Sequence, residues 1–183
     1  DLGFALGPGE MLLVEGANGS GKTSLLRAIA GLLPLDAGAV HWRGQPALQN
    51  RQSLCAEMAW LSHRLGLKYD LTLVENLRFD AGLRGSAADN GDEVLDRLGL
   101  KGLERLPLRA LSAGQQRRVA LARLQLATAR LWLMDEPFTN LDTAGQALVR
   151  DLVERKLKQG GLCVVATHHS MDISAPTRRI KLQ

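Results

Sequence analysis

The chain has 183 residues, the length of one domain, and 45% of them are hydrophobic, which is enough for a sizeable core. Its formal net charge of +4 is too small to indicate a nucleic acid, and we predict no nucleic-acid partner. Cys55 and Cys163 lie far apart without a metal-ligand spacing, so we expect two reduced, mostly buried thiols. No apolar run approaches the ~20 residues that cross a bilayer, so we expect any membrane role to come through a partner.

The N-terminal part of the chain is predicted to alternate between strands and helices. Leu2, Phe4 and Leu6 stand at alternate positions, as in a strand that ends at the turn formed by residues 7–9. The next elements are a strand over 10–15, a helix that ends near 33, a short strand over 39–42 in an edge hairpin, and a core strand over 58–61.

Residues 64–111 differ from their surroundings, because their apolar residues recur at helical spacing. We interpret them as a helical subdomain inserted into a core formed by residues 1–62 and 112–183. The core continues with a long helix opened by Ser112, a strand over 131–134, a helix over 143–158, a strand over 162–166 and a strand near 179–182. This order predicts an α/β fold with a mostly parallel sheet core, helices on both faces and an antiparallel hairpin at the edge.

A glycine-rich loop follows the strand over 10–15. Gly16, Gly21, Lys22 and Thr23 satisfy the pattern G-x-x-x-x-G-K-[ST] between a strand and a helix. Glycines let the backbone N–H groups close on phosphate oxygens, which the helix N-terminus also attracts. We expect Lys22 to bridge the β- and γ-phosphates of a nucleotide and Thr23 to bind Mg²⁺. The residues predicted to bind the nucleotide here are Gly16, Ala17, Asn18, Gly19, Ser20, Gly21, Lys22, Thr23 and Ser24.

An acidic pair ends the apolar strand over 131–134. In an open parallel sheet, ligands bind at the carboxyl ends of the strands, which is where Asp135 and Glu136 are predicted to lie. We expect Asp135 to hold Mg²⁺ through a water molecule and Glu136 to orient or deprotonate the water that attacks the γ-phosphate.

A second helix N-terminus is also predicted to meet an anion. Ser112 and Gly114 can present a hydroxyl and N–H groups there, and Gln115 is placed to complete a capping box. Arg117 and Arg118 follow on the same helix, and we expect them to be solvated or to face phosphate.

With these pieces the sequence resembles the ATP-binding cassette (ABC) ATPases over nearly the whole chain. The matching segments are GANGSGKT at 16–23, LSAGQ at 111–115, LWLMDEP at 131–137, TNLD at 139–142, and His168 at the end of VVATH. The resemblance implies a P-loop NTPase fold that hydrolyses ATP with Mg²⁺ and pairs head to tail with a second cassette, as a homodimer.

The same resemblance implies a role for single residues. Ser112 and Gly114, within LSAGQ with Gln115, would contact the γ-phosphate held by the other subunit. Asp142 would help couple the two sites, and His168 would contact the γ-phosphate in its own subunit.

Within the family, the sequence is most similar to the ATP-binding subunits of bacterial heme exporters of cytochrome c maturation. The segments that carry this similarity are LSHRLGLKYDLTLVENLRF at 61–79, LSAGQQRRVALARL at 111–124 and MDEPFTNLD at 134–142. This implies a peripheral ATPase on the cytoplasmic side of the inner membrane, bound to integral membrane transporter subunits. It would drive heme export or the release of a heme-loaded chaperone.

Two departures from the family pattern stand out. His63 occupies the place where most ABC cassettes have a glutamine that touches Mg²⁺ and the attacking water, and we predict a catalytic role for it. The usual adenine-stacking aromatic residue is expected outside this sequence, since only 15 residues precede Gly16. We therefore predict weak nucleotide affinity and low base selectivity for this chain.

Other functions stay open at this point. The chain could serve another small exporter, or be a non-transport ABC ATPase of DNA repair or translation, although it has none of the long insertions typical of those proteins. A small-molecule kinase or a GTPase would not explain LSAGQ, and the guanine-reading N-K-x-D segment is absent. A binding module without turnover is a further alternative.

Overall fold

A computed structural model describes residues 2–85 and 91–183. Asp1 and residues 86–90, which include part of the predicted helical subdomain, lie outside the described residues. The strands are β1 (Met11–Glu15), β2 (His41–Trp42), β3 (Gln45–Pro46), β4 (Met58–Leu61), β5 (Leu131–Asp135), β6 (Leu162–Ala166) and β7 (Thr177–Lys181). The helices are α1 (Lys22–Ile29), α2 (Arg51–Ala56), α3 (Leu73–Arg84), α4 (Gly91–Arg97), α5 (Ala113–Leu126) and α6 (Thr143–Lys158), with a 3₁₀ turn over Leu108–Ala110.

Five strands form one parallel sheet in the order β4-β5-β6-β1-β7. Strands β5 and β6 are buried along their whole length, as expected for parallel strands covered on both faces. Asp135 lies beside Ala166 in the register, so the carboxyl ends of these two strands meet at one edge of the sheet. That edge is where the sequence predicts a ligand.

The two faces of the sheet pack against different helices. Strand β1 shows the division, because Met11 and Leu13 belong to one hydrophobic cluster and Leu12 and Val14 belong to the other. The first cluster takes its helical residues mainly from α3 to α6. The second takes them from α1 and α2, with Trp42 of the hairpin packed against it. These two layers hold the strand ends in place beneath the site.

The sequence predictions for the parallel sheet and the covering helices are confirmed. Helix α6 has the predicted bounds, and Ser112 caps α5 in the predicted capping box with Gln115. Helix α3 has an equivalent capping box, formed by Thr72 and Glu75. The antiparallel hairpin is present, and β2 and β3 form a two-stranded sheet of their own. The division into a core and a helical subdomain over 64–111 stays a prediction.

Two expectations are wrong, and one helix was missed. Residues 2–6 form no strand, because their alternating apolar residues find no neighbouring strand, and Leu2 and Phe4 remain 47% and 37% exposed. Cys163 is buried, but Cys55 is exposed on α2, although both thiols are free as expected. The sequence did not predict α2 at all, since this six-residue helix buries only Leu54 and so has no apolar period.

Among the described residues, no helix is both long enough and apolar enough to cross a membrane.

Candidate nucleotide-binding site

The glycine-rich loop lies between β1 and α1 at the predicted edge of the sheet. It borders a cavity of about 240 Å³ lined by Asn18, Gly19, Gly21, Lys22, Thr23, Ser24, Asp135 and Glu136. The structure therefore brings together the loop and the acidic pair, which are more than 100 residues apart in sequence.

The loop conformation depends on its glycines. Gly19 and Gly21 have φ angles of 87° and 93°, in a region that residues with a side chain rarely adopt. At Gly16 the constraint is space, because an added Cβ would lie 2.5 Å from Ser20 Oγ and 2.8 Å from the Leu182 carbonyl oxygen. The Ser20 hydroxyl itself is buried and, within the described part of the chain, has no hydrogen-bond partner. Ser20 itself does not line the cavity.

Lys22 is the cation at the centre of the site. It is only 6% exposed, and its Nζ donates to the carbonyl oxygens of Gly16 at 2.7 Å and Ala17 at 3.0 Å. The same nitrogen lies 3.6 Å from Glu136 Oε1. A buried ammonium held by neutral carbonyls and one carboxylate can offer its charge to an anion such as phosphate.

The residues predicted to hold Mg²⁺ contact each other directly. Thr23 Oγ1 donates to Asp135 Oδ2 at 2.8 Å, and Asp135 is only 2% exposed. Hydroxyl and carboxylate oxygens at the border of a phosphate cavity are the donors that Mg²⁺ prefers, so these residues fit the ion.

Glu136 is fixed by contacts on several sides. Its φ of 47° is left-handed, which is uncommon for a residue with a side chain, and its N–H donates to the Ala166 carbonyl at 2.8 Å. Thr167 Oγ1 donates to Glu136 Oε2 at 3.2 Å, and His168 Nδ1 lies 3.0 Å from the same oxygen. Oε1 has no hydrogen-bond partner in the described part of the chain. This oxygen is buried, lies 3.6 Å from Lys22 Nζ and can accept a further hydrogen bond.

The surroundings of Glu136 keep it ionised. Burial acts to raise its pKa, but the hydrogen bond from His168, the electrostatic effects of His168 and Lys22 and the hydrogen bond from Thr167 together hold the pKa below its usual value. A carboxylate in this state can accept a proton from water at neutral pH.

Loss of His168 should change the pH dependence of hydrolysis. In His168→Ala the carboxylate loses its first stabilising partner, so its pKa rises and the acid limb of the kcat–pH profile moves to higher pH. The measurement is kcat between about pH 4 and pH 9, a range that extends below the ordinary pKa of a glutamate, with His41→Ala in the exposed hairpin as the control. An acid limb that does not move would contradict the role of His168 beside Glu136.

The LSAGQ residues do not line this cavity. Ser112 Oγ accepts from the Gln115 N–H at 3.2 Å, and Gln115 Oε1 accepts from the Ser112 N–H at 2.9 Å, so each caps α5. A Cβ on Gly114 would lie 3.0 Å from the Asn140 carbonyl oxygen, which favours glycine there. Asp142 caps α6 through the Gly145 N–H. These residues thus have local structural roles, and their roles at a nucleotide stay proposals.

His63 is also outside the cavity lining. It follows β4 and is exposed, and among the described residues its side chain has no hydrogen bond or ion pair. Its predicted catalytic role rests on the sequence alone.

One prediction about the arginines is wrong. Arg117 is neither solvated nor facing phosphate, since it is 2% exposed and donates to the carbonyls of Asp135 and Glu136. Arg118 is half-buried and lies 3.5 Å from Asp142 Oδ1. The polar sequence QQRR at 115–118 does not indicate which arginine is buried, because the packing of α5 against the sheet decides which one points inward.

Comparison with known sequences shows the family to which the chain belongs. The sequence profile described as ABC transporter matches residues 1–139. The chain belongs to the ABC transporter ATP-binding family. As an ABC cassette of this family it binds ATP and is an ATPase coupled to transport.

Similar curated proteins carry a more specific name. The "Cytochrome c biogenesis ATP-binding export protein CcmA" of Methylococcus capsulatus is 48% identical over 183 residues, covering 99% of this cassette and 88% of the relative. The protein of the same name from Shigella flexneri is 44% identical over 182 residues, covering 99% and 87%.

Solved structures show the same fold. An ATP-binding subunit of an ABC transporter superposes with a TM-score of 0.81 at 24% identity, covering 90% of this cassette and 70% of that chain. The cbiO1 protein of Clostridium perfringens, part of the ABC transporter complex cbiONQ, gives 0.74 at 25% identity, covering 88% and 68%.

Proposed function

We propose that this cassette is the ATP-hydrolysing subunit of a transporter complex that drives heme export, or the release of a heme-loaded chaperone, during cytochrome c maturation. The observation that carries the proposal is the 48% identity, over almost the whole cassette, to a relative named as a cytochrome c biogenesis export protein. The arrangement around Glu136 supports the hydrolytic part.

The chemistry follows from the contacts of Glu136. A water molecule bound at Oε1 attacks the γ-phosphorus, and Glu136 takes its proton while the bond to the β–γ bridging oxygen breaks and ADP leaves. Lys22, 3.6 Å away, stabilises the charge that develops on the phosphate oxygens. His168 and Thr167 hold the carboxylate in the orientation that this step requires.

Thr23 and Asp135 would hold Mg²⁺ beside the phosphates, with Asp135 acting through a water molecule. The ion would neutralise charge on the β- and γ-phosphates. His63 would help to position the attacking water from the end of β4.

The complete site is proposed to form between two copies of the cassette. Ser112, Gly114 and Gln115 lie at an exposed or half-exposed helix N-terminus outside the cavity, where they can meet the nucleotide of another subunit. Asp142 lies nearby through its contact with Arg118 on α5, so it can couple the two sites. A head-to-tail homodimer accounts for both placements.

Mixing two inactive variants tests this arrangement. Ser112→Asp keeps a good helix cap but places a negative charge against the partner's γ-phosphate, while Lys22→Met removes the cation of the variant's own site. A mixed dimer has one intact composite site, so an equimolar mixture should recover about a quarter of parental hydrolysis under random pairing. Ser112→Asn is the control for Ser112→Asp, because asparagine has the shape of aspartate without its charge. A mixture no more active than its separate components would mean that the sites do not form between subunits.

The partners and location follow from the same proposal. The cassette would bind integral membrane transporter subunits at the cytoplasmic side of the bacterial inner membrane, and through them act on a heme chaperone. The test is complementation of a bacterium that lacks its own cytochrome c biogenesis ATPase, with covalent heme in c-type cytochromes as the readout. If the cassette hydrolyses ATP in these cells but c-type cytochromes do not recover, the result would favour a function in another small exporter or as a non-transport ABC ATPase.

A further inference from the structure

The guanidinium of Arg117 lies beneath the acidic end of β5. Its Nε donates to the Pro137 carbonyl at 3.3 Å, Nη1 donates to the Ser62 carbonyl at 3.3 Å, and Nη2 donates to the carbonyls of Asp135 at 3.1 Å and of Glu136. One side chain of α5 therefore contacts three consecutive peptide groups around Glu136 and also the end of β4. The planar guanidinium has five N–H donors in a fixed arrangement, which suits it to bind several carbonyls at once.

These contacts complete the restraint on the backbone of Glu136. The N–H of Glu136 donates to Ala166 on β6, and its carbonyl accepts from Arg117. Glu136 has a left-handed φ of 47°, a conformation that persists in a residue with a side chain when its surroundings hold it. The two hydrogen bonds, one on each side of its Cα, set the direction in which the carboxylate leaves the backbone.

The hydrogen bonds of the charged Arg117 side chain go to carbonyl groups. No ion pair found among the described residues includes it, although Asp135 and Glu136 are close enough for their charges to act on it. Burial lowers the pKa of Arg117 to about 10, against the opposing effect of these two carboxylates, so the side chain stays protonated at neutral pH. A protonated guanidinium makes stronger hydrogen bonds to carbonyls than a neutral donor would.

We propose that Arg117 is a positioning residue for ATP hydrolysis, which holds the peptide groups on either side of Glu136 so that its carboxylate stays aimed at the γ-phosphate. This rests on the proposed role of Glu136 as the group that activates water. Arg117 also lies on the helix that begins at Ser112, so the surface offered to a partner's nucleotide is joined to this subunit's own Glu136 by one side chain.

The test compares Arg117→Gln and Arg117→Lys in the full chain. Arg117→Gln should lower kcat about 10- to 100-fold and change the Kd for Mg-ATP by less than about threefold, because only the aim of Glu136 is lost. Arg117→Lys keeps a charge but has fewer donors, so it should recover part of kcat. Adding Arg117→Gln to Glu136→Gln should cause no further loss, since both changes act on the same step.

Arg123→Gln is the matched control. Arg123 is on the same helix and donates to the backbone carbonyls of Leu65 at 3.0 Å and Gly66 at 3.3 Å and also to Asp80 Oδ1 at 2.6 Å, but it does not contact Glu136. It should leave kcat within about threefold of the parent, with circular dichroism and thermal unfolding recording the folded fraction of every variant.

Three outcomes would overturn the proposal: a parental kcat in Arg117→Gln, an equal further loss in the Glu136→Gln background, or a fall in kcat that only follows the folded fraction in both Arg117 variants. The role of Glu136 is judged separately. Hydrolysis that survives in Glu136→Gln would remove the proposed base, whereas an inactive Glu136→Gln beside a fully active Arg117→Gln would remove only the role of Arg117.

Discussion

Glu136→Gln is expected to lower kcat for ATP hydrolysis by at least about 100-fold, because the amide cannot accept the proton of the attacking water. Nucleotide binding should persist. The amide has nearly the shape of the carboxylate, and its oxygen can still accept from Thr167 and His168. Removal of the negative charge 3.6 Å from Lys22 should strengthen the attraction of that lysine for phosphate. The measurements are phosphate release at saturating Mg-ATP and a nucleotide titration under the same conditions.

Glu10→Gln is the control for this change. Glu10 precedes the amino end of β1, at the opposite edge of the sheet from the phosphate loop, and its carboxylate accepts from the Gly7 N–H at 2.8 Å. It undergoes the same chemical change without touching the site, so kcat should stay within about threefold of the parent. Substantial hydrolysis by Glu136→Gln would show that another group, or the phosphate itself, takes the proton.

The site could be predicted from the sequence wherever local patterns determine geometry. The spacing of Gly16, Gly21, Lys22 and Thr23 defines a strand, a loop and a helix without any knowledge of the rest of the chain. The predicted position of Glu136 follows from one further rule, that parallel strands end at a common edge, and in the register of β5 beside β6 the preceding Asp135 lies opposite Ala166 at that edge.

Other features depend on tertiary contacts and could not be predicted. Arg117 and Arg118 are identical in type and adjacent, yet one is buried beneath β5 and the other contacts Asp142. The direction in which α5 faces the sheet decides this, and no local pattern encodes it. In residues 2–6 the sequence pattern instead predicts an element that the structure lacks. Alternating apolar residues form a strand only where a neighbouring strand is available to pair with them.

The left-handed backbone of Glu136 is a further case. Sequence reasoning places positive φ angles at glycines, as at Gly19 and Gly21, and gives no reason to expect one at a glutamate. Here the hydrogen bonds from Arg117 and to Ala166 compensate for the unfavourable conformation. A strained residue that several neighbours hold in place is characteristic of functional sites.

Lys22→Met should weaken the binding of Mg-ATP at least about 100-fold, because methionine keeps the apolar part of the side chain and removes the charge. Two effects act together. The triphosphate loses its cation, and the loop loses the hydrogen bonds that join Lys22 to the carbonyls of Gly16 and Ala17. The measurement is the Kd for Mg-ATP, obtained from a calorimetric titration.

The control for this change is Arg27→Met, which removes a cation from the exposed last turn of the same helix. The Kd of Arg27→Met for Mg-ATP should remain within about threefold of the parental value, since salt screens a solvated charge at the far end of the helix from the phosphate loop. Lys22→Arg should not restore binding, because the wider guanidinium has to enter a space where the ammonium is only 6% exposed. Tight binding by Lys22→Met would mean that the backbone N–H groups and the N-terminus of α1 are sufficient to hold the phosphates without the lysine.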